Sequence, residues 1–236
     1  MRPFLTARWS HLCLFNYALE PEVLQPYLPR GLELDLYQGR PCCSLVAFDF
    51  LETRVLGVRW PLHADFPELN LRFYVRAGSH RGVVFVKEIV PRPLVAAIAR
   101  LTYNEPYTAA PLRSRVSRSR WEIRVRHRLR YGLRLHHLEV RARKEPWLPG
   151  PDSLEHHFKE HEWGFGRSFS GRTTCYRVHH PLWTVYPVER YRVDLDWGRV
   201  YGPSWASMRD REPDSVVLAR GSEVEVYPGG LWKGAP

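Results

Sequence analysis

The residues best suited to chemistry lie in one alternating stretch of the chain, residues 66–76. Apolar side chains occupy every second position there, and the polar side chains between them are Glu68, Asn70, Arg72, Tyr74 and Arg76. A period of two predicts a β-strand with one buried face. Exposure to solvent is the commonest reason for such a polar row. Because most of these groups make directional hydrogen bonds, we interpret the row as a candidate wall of a binding cavity.

A carboxylate and a guanidinium in one row are suited to binding a small organic acid or a carbonyl compound. Glu68 would act as a catalytic acid or base, and Arg72 would bind a ligand carboxylate. The other candidate ligand-binding residues, which offer polar or aromatic contacts, are Asn70, Tyr74, Tyr107, His180 and Trp183. Of these, His180 and Trp183 would close the cavity. Binding alone and catalysis are both compatible with this set.

A second predicted strand, residues 83–90, carries two adjacent opposite charges. Strict alternation groups Lys87 with Phe85 on one face and Glu88 with Val86 on the other. Whichever face is buried therefore takes a charged group inside. A buried lysine has a lowered pKa and can act as a nucleophile, whereas a buried glutamate has a raised pKa and can act as an acid. The alternative is a position at the end of the strand, where the charged group reaches water.

Residues 157–161 read His-Phe-Lys-Glu-His and match the metal-binding pattern of an inverted zinc-protease helix. On a helix, His157 and His161 would lie on one face. The predicted helix, residues 153–162 with Asp152 as its N-cap, is short, and no later helix offers a third ligand. We therefore expect an exposed, charged helix face and no metal. The chain also lacks a phosphate-binding loop and a nucleophile elbow, so we predict no cofactor.

Residues 113–143 form a strongly basic predicted hairpin that turns near residue 131. Arginines at alternate positions share one strand face at intervals of about 7 Å, and they are Arg124, Arg126, Arg128 and Arg130. Such a row could bind a nucleic acid or another polyanion through phosphate groups. Base stacking would require aromatic side chains on that face, which it lacks. We favour a solvent-exposed face partly paired with acidic neighbours, and retain polyanion binding as an alternative function.

The composition is that of a globular protein, with 44% hydrophobic and 25% charged residues in a chain of 236. Twenty prolines and sixteen glycines favour short strands and tight turns over a helical bundle. The net charge of +10 comes almost entirely from arginine, as a GC-rich genome would produce, so it is weak support for nucleic-acid binding. The shortage of Asn and Gln is typical of thermophiles.

The cysteines and the apolar runs of the chain bear on its cellular compartment. Cys13, Cys42, Cys43 and Cys175 form no Cys-x-x-Cys pair, so we predict buried free thiols rather than a zinc site or disulfides. No apolar run is long enough to span a membrane, and residues 1–10 lack the pattern of a signal peptide. We therefore predict a cytoplasmic protein without a membrane partner; a homo-oligomer is compatible with the sequence.

The order of elements predicts one mainly β domain over residues 1–236, with mostly antiparallel strands and a few short helices. Helices are predicted at residues 21–28, 93–101 and 153–162. Neither a linker nor an internal repeat divides the chain.

An ordered set of short segments resembles the YqjF-like family of uncharacterised bacterial proteins over residues 5–228. The most specific segment is Phe-Pro-Glu-Leu-Asn-Leu-Arg at residues 66–72. Supporting segments follow the same order and lie at residues 20–34, 106–110, 153–156 and 179–183. That family is grouped with the acetoacetate decarboxylase-like superfamily. The resemblance implies curled antiparallel sheets that form a cone or double barrel around a central cavity.

The same resemblance bears on the chemistry. Decarboxylases of the superfamily form a Schiff base on a lysine that follows a proline, and Tyr107 and Thr108 stand at the corresponding positions here. Ala18 stands where those enzymes carry an arginine, whereas Glu68 matches their cavity glutamate. The resemblance therefore implies a retained cavity without Schiff-base decarboxylase chemistry. The remaining alternative is an accessory protein whose cavity is filled by its own side chains.

Overall fold

The structure, a computed structural model, describes residues 2–234 apart from the side chains of residues 102 and 103. Strands dominate this range, which confirms the predicted mainly β class. In chain order the strands are β1 (Leu5–Ala18), β2 (Glu33–Leu34), β3 (Leu36–Tyr37), β4 (Arg40–Val55), β5 (Phe66–Ala77), β6 (His80–Val90), β7 (Tyr107–Ala109), β8 (Leu112–Arg118), β9 (Glu122–Tyr131), β10 (Arg134–Arg143), β11 (Trp163–Arg167), β12 (Thr173–His179), β13 (Val185–Tyr186), β14 (Val188–Asp194), β15 (Ser215–Ala219), β16 (Glu223–Val226) and β17 (Gly230–Leu231).

The helices are short and connect the strands. They are α1 (Pro21–Leu24), α2 (Pro93–Tyr103), α3 (Leu154–Lys159) and α4 (Trp197–Tyr201), with 3₁₀ turns at Gln25–Tyr27 and Pro203–Met208. Within residues 2–234, none of them is long and apolar enough to cross a membrane.

Seven strands close into a barrel in the order β1-β16-β12-β11-β6-β5-β4, because β4 pairs back with β1. β1 and β4 are long, with 14 and 16 residues. Their pairing shifts register between Ser10 and Cys13, where His11 has a positive φ of 54°. An irregularity of this kind bends a long strand and increases its twist, which helps the sheet to close on itself.

A separate four-stranded sheet, in the order β14-β10-β9-β8, packs against the outside of the barrel. Apolar side chains from both layers share one core, which includes Leu71 and Phe73 from β5 and Val125 and Leu129 from β9. α4 adds Trp197 to this core. Sequence periodicity does not predict α4, because its five residues are too few to show a helical period.

β5 is buried on both faces, so the prediction of one buried face is wrong. Its apolar face packs against the four-stranded sheet, and its polar face points into the barrel. Arg76, close to the end of the strand, is exposed. Alternation separates the two faces of a strand, but it does not show what covers each of them.

All three helix predictions differ from the structure at their ends, and the helix predicted at residues 93–101 continues to Tyr103. The helix predicted at residues 21–28 stops at Leu24 and continues as a 3₁₀ turn. α3 is shorter than predicted, and its N-cap is Ser153 rather than Asp152. The Ser153 hydroxyl accepts a hydrogen bond from the His156 N–H at 3.2 Å, which satisfies a free donor of the first helical turn.

The basic segment 113–143 forms three antiparallel strands, β8, β9 and β10, rather than a single hairpin. Arg124 Nη2 and Arg141 Nε each lie 2.8 Å from a carboxylate oxygen of Glu139. Arg128 is exposed. The arginine face therefore points to solvent and is partly paired with an acidic neighbour.

All four cysteines are free thiols, and Cys175 is half-buried rather than buried. The adjacent Cys42 and Cys43 point to opposite faces of β4, one into the barrel and one towards the outer core. Burial raises the pKa of the Cys42 thiol to about 11. That thiol is therefore protonated at neutral pH and unsuited to nucleophilic chemistry.

Candidate functional site

The barrel encloses a cavity of about 210 Å³. Three members of the polar row on β5, Glu68, Asn70 and Arg72, line it. Aromatic side chains such as Phe48 and Phe66 form much of the remaining wall. The barrel interior therefore holds free space beside Glu68.

Glu68 is held by two hydrogen bonds inside this cavity. The Asn70 amide donates to Oε1 at 2.8 Å, and the Tyr107 hydroxyl donates to Oε2 at 3.0 Å. Burial raises the pKa of Glu68 to about 7, although these hydrogen bonds and the positive charge of Arg72 oppose the increase. A carboxyl group with this pKa is present in both protonation states at neutral pH, as general acid–base catalysis requires.

A β-bulge decides which charged residue of β6 enters the barrel. The pairing of β5 with β6 shifts by one residue at Val86, so the two faces of β6 exchange there. Phe85 therefore lines the cavity together with Glu88. Lys87 points outward, and its ammonium group donates to the backbone carbonyl of Val200. The predicted grouping of Phe85 with Lys87 is wrong, because strict alternation does not include the extra residue.

Glu88 and Glu105 form a buried carboxyl cluster with Glu68. Burial, reinforced by the charges of Glu105 and Glu68, raises the pKa of Glu88 well above its usual range. Burial and the charge of Glu68 raise the pKa of Glu105 to about 8. Carboxyl groups that interact in this way do not all ionise together, so the cluster keeps protons at neutral pH. Within the described residues, Oε2 of Glu88 has no hydrogen-bond partner.

Two local features place Glu105 in the cavity. The C-cap residue of α2, Asn104, has a left-handed φ of 53° that turns the chain, and the side chain of Glu105 then enters the cavity wall. The Tyr176 side chain hydrogen-bonds Glu105. Gly164 makes room for the ring of Tyr176, since a Cβ atom at position 164 would lie 2.3 Å from it.

α3 and the residues after it bring positive charge to the cavity. Lys159 lines the cavity with a fully buried side chain and forms an ion pair with Glu160. Arg72 Nη2 donates to the Phe158 carbonyl at 2.9 Å, and Arg72 Nε is buried without a partner in the described part of the chain. Burial and the charge of Arg72 lower the pKa of His161 well below its usual range, so this cavity-lining imidazole is neutral.

This arrangement shows that the predicted exposed helix face at residues 153–162 is wrong. Three of these residues are buried, and they are Phe158, Lys159 and His161. α3 stops at Lys159, and the extended conformation of Glu160 (φ −102°, ψ 91°) directs the chain along the barrel wall. His157 Nδ1 lies 2.8 Å from Arg81 Nη2. No group of His, Cys, Asp and Glu side chains in residues 2–234 is arranged to hold a metal ion.

The other residues singled out in the sequence take different positions around the cavity. Tyr107, His180 and Trp183 line it. The rings of His180 and Trp183 stack with centroids 4.0 Å apart. Both side chains are buried in the wall of the cavity and do not form a cover over its opening. Tyr74 lies behind the wall, where its hydroxyl donates to the Phe158 carbonyl at 3.3 Å and supports the end of α3.

Three further residues line the cavity although the sequence pattern does not predict this, and they are Glu105, Lys159 and His161. Glu105 lies in a loop, where no periodicity assigns a face. For Lys159 and His161 one signal was available, because Phe158 is a large aromatic residue within a charged helix and marks a buried side.

Comparison with known proteins agrees with this architecture. The chain matches the model of the DUF2071 family, described as an uncharacterized conserved protein, over residues 6–223. It is 26% identical over 183 residues to the uncharacterized protein YqjF of Bacillus subtilis, which covers 77% of this chain and 74% of YqjF.

Similar solved structures include two enzymes. Acetoacetate decarboxylase from Legionella pneumophila superimposes with a TM-score of 0.66 at 13% identity, over 98% of this chain and 88% of the enzyme. The enduracididine biosynthesis enzyme MppR in complex with pyruvate gives a TM-score of 0.68 at 12% identity, over 98% of this chain and 91% of MppR. Identities this low show a shared fold only. From the match over residues 6–223 and the closed barrel, this chain belongs to the DUF2071 family of uncharacterized proteins and has an acetoacetate decarboxylase-like fold.

Proposed function

We propose that the barrel cavity binds a small organic acid or carbonyl compound and that Glu68 transfers a proton to or from it. The supporting observation is that an acidic and a basic set of groups line one cavity: the carboxyl cluster, and a cationic pair formed by Arg72 and Lys159. A ligand carboxylate would bind the cationic pair. Its carbonyl group and the adjacent carbon would then face the carboxyl cluster.

The reaction that suits the carboxyl cluster is proton transfer at a carbon next to a carbonyl group. Ionised Glu68 would take the proton, and the electrons of the broken C–H bond would move to the carbonyl oxygen. A protonated Glu88 or Glu105 would donate a hydrogen bond to that oxygen as it becomes negative. The pKa of Glu68 is about 7 and that of Glu105 about 8, so a base and an acid coexist at neutral pH.

The similarity to MppR supports a carbonyl-containing ligand, because that enzyme has been solved in complex with pyruvate, a 2-oxo acid. Pyruvate and 2-oxobutyrate are therefore suitable probes. A thermal-shift assay reports their binding. Proton NMR in D₂O reports whether the protein accelerates exchange of the hydrogens next to the carbonyl group.

We expect both probes to stabilise the wild-type protein and to exchange faster in its presence. Glu68→Gln should still be stabilised by the probes almost as much as the wild type, because the carboxylate-binding groups remain. It should no longer accelerate hydrogen exchange, because the base is removed. Arg72→Ala should lose both, and Arg72→Lys should retain part of each because it keeps the charge. Two matched controls at exposed residues, Glu145→Gln and Arg128→Ala, should behave as the wild type.

Either of two results would overturn the proposal. One is that neither probe stabilises the wild-type protein. The other is that Glu68→Gln and Arg72→Ala respond to the probes as their controls do.

A further inference from the structure

A single cavity is lined by fully buried residues at one end and by half-exposed residues at the other. Glu68 and Glu88 are 2% and 3% exposed. Trp60, Leu94 and Ile98 line the same cavity and are 49%, 44% and 39% exposed. These two groups mark the inner end and the mouth of the cavity.

The mouth lies between α2 and the loop after β4, which carries Trp60. The residues of α2 that line the cavity are Leu94, Val95, Ile98 and Ala99. Their spacing places them on one side of the helix. Among the described side chains of α2, Ala96 is buried and Val95 packs against the inner core, but Leu94 and Ile98 are exposed, so packing in the core does not account for these two.

Large exposed apolar side chains also occur elsewhere, and exposure alone is not informative. Leu133 is fully exposed and Trp121 is 68% exposed, both at turns of the four-stranded sheet. The mouth differs because its apolar side chains continue into an aromatic wall that includes Trp9 and Phe48. An apolar path therefore leads from the surface to the carboxyl cluster.

We propose that the ligand is a monocarboxylate with an apolar tail, whose carboxylate binds the cationic pair and whose tail leaves through the mouth. This inference rests on the proposed function and specifies its ligand class. Within the cationic pair, Lys159 already forms an ion pair with Glu160, which leaves the Arg72 guanidinium to bind one ligand carboxylate. A second carboxylate at the far end of the ligand would lie against the apolar mouth without a partner.

Isothermal titration calorimetry with 2-oxo acids of increasing length tests this inference. Pyruvate, 2-oxobutyrate, 2-oxohexanoate and 2-oxooctanoate differ only in the tail. Each added methylene that contacts the wall should raise the affinity by up to about fourfold. 2-Oxoadipate, which ends in a second carboxylate, should bind more weakly than 2-oxohexanoate.

Substitutions at the mouth test the contribution of the tail to binding separately from that of the carboxylate. The double variant Leu94→Ser with Ile98→Ser should bind 2-oxooctanoate about tenfold more weakly than the wild type does, because each serine removes apolar contact area. Its affinity for pyruvate should be unchanged. Leu133→Ser, which changes an exposed leucine away from the cavity, should bind both ligands as the wild type does.

An affinity that stays flat or falls from pyruvate to 2-oxooctanoate would overturn this inference, as would a mouth variant that binds 2-oxooctanoate normally. In both cases, if pyruvate still bound, the proposed function would not be contradicted. If no acid of the series bound, the proposed function and the inference would fail together.

Discussion

Two strands of this protein carry polar side chains at every second position, but their surroundings are opposite. On β5, Glu68, Asn70 and Arg72 point into the barrel, and none is more than 8% exposed. On β9, the alternating arginines face solvent, and Arg124 contacts Glu139. The difference arises because β5 is covered on both faces, whereas the four-stranded sheet packs one face on the barrel and leaves the other to water. Neighbouring layers, and not the pattern itself, decide which polar row can form a cavity.

The largest expected difference between the two rows is in stability. Arg72→Ala should lower the free energy of unfolding by about 2 kcal/mol, because a buried hydrogen bond to the Phe158 carbonyl is lost. Arg128→Ala, on the outer row, should change it by no more than about 0.5 kcal/mol. Urea denaturation measures both. Equal losses would mean that the two rows do not differ in burial as described.

The interior row should also give a distinctive dependence on pH. Burial raises the pKa of Glu68 from 4.5 to about 7 and that of Glu105 from 4.5 to about 8. Between the unfolded and folded values the folded protein binds more protons than the unfolded chain, so its stability falls as the pH rises. Histidines with an ordinary pKa near 6.5 still titrate at the acidic end of the range from pH 6.5 to 8. Their contribution is common to the wild type and the carboxyl variants, so a difference in slope between these proteins isolates the carboxyl groups.

Glu105→Gln should reduce the loss of stability across this range, by on the order of 1 kcal/mol. Glu139→Gln, on the four-stranded sheet, is the control. Partial burial acts to raise the pKa of Glu139, but hydrogen bonds from Arg124 and Arg141 lower it overall, so its contribution is lost only at acidic pH. Urea denaturation at several pH values should show the wild-type slope for Glu139→Gln and a shallower slope for Glu105→Gln. Identical slopes in the two variants would contradict the carboxyl cluster.

The smallest effect should come from charge reversal on the outer row. Glu139 already pairs with Arg124 and Arg141, and salt screens the exposed Arg128. At physiological salt we expect Arg128→Glu to leave the fluorescence anisotropy of a labelled single-stranded oligonucleotide unchanged. Tight binding by the wild type that weakens steeply with salt and disappears in Arg128→Glu would instead favour a polyanion-binding function.

The sequence predicts much of the fold and part of the site. The period of two over residues 66–76 locates β5, and the family resemblance supplies the barrel and its cavity. The position of Glu88 was left undecided, because the bulge at Val86 leaves no mark in the apolar pattern. Glu105 and Lys159 reach the cavity through a loop and a short helix, whose positions depend on contacts between distant parts of the chain.

A crystal structure with 2-oxooctanoate tests most directly the claim that the interior polar row, and not the outer one, forms the ligand site. We expect electron density inside the barrel, with the ligand carboxylate about 3 Å from Arg72, the carbonyl group beside Glu68 and the tail near Ile98. An empty barrel at saturating ligand, or density only along the outer arginine row, would contradict this account.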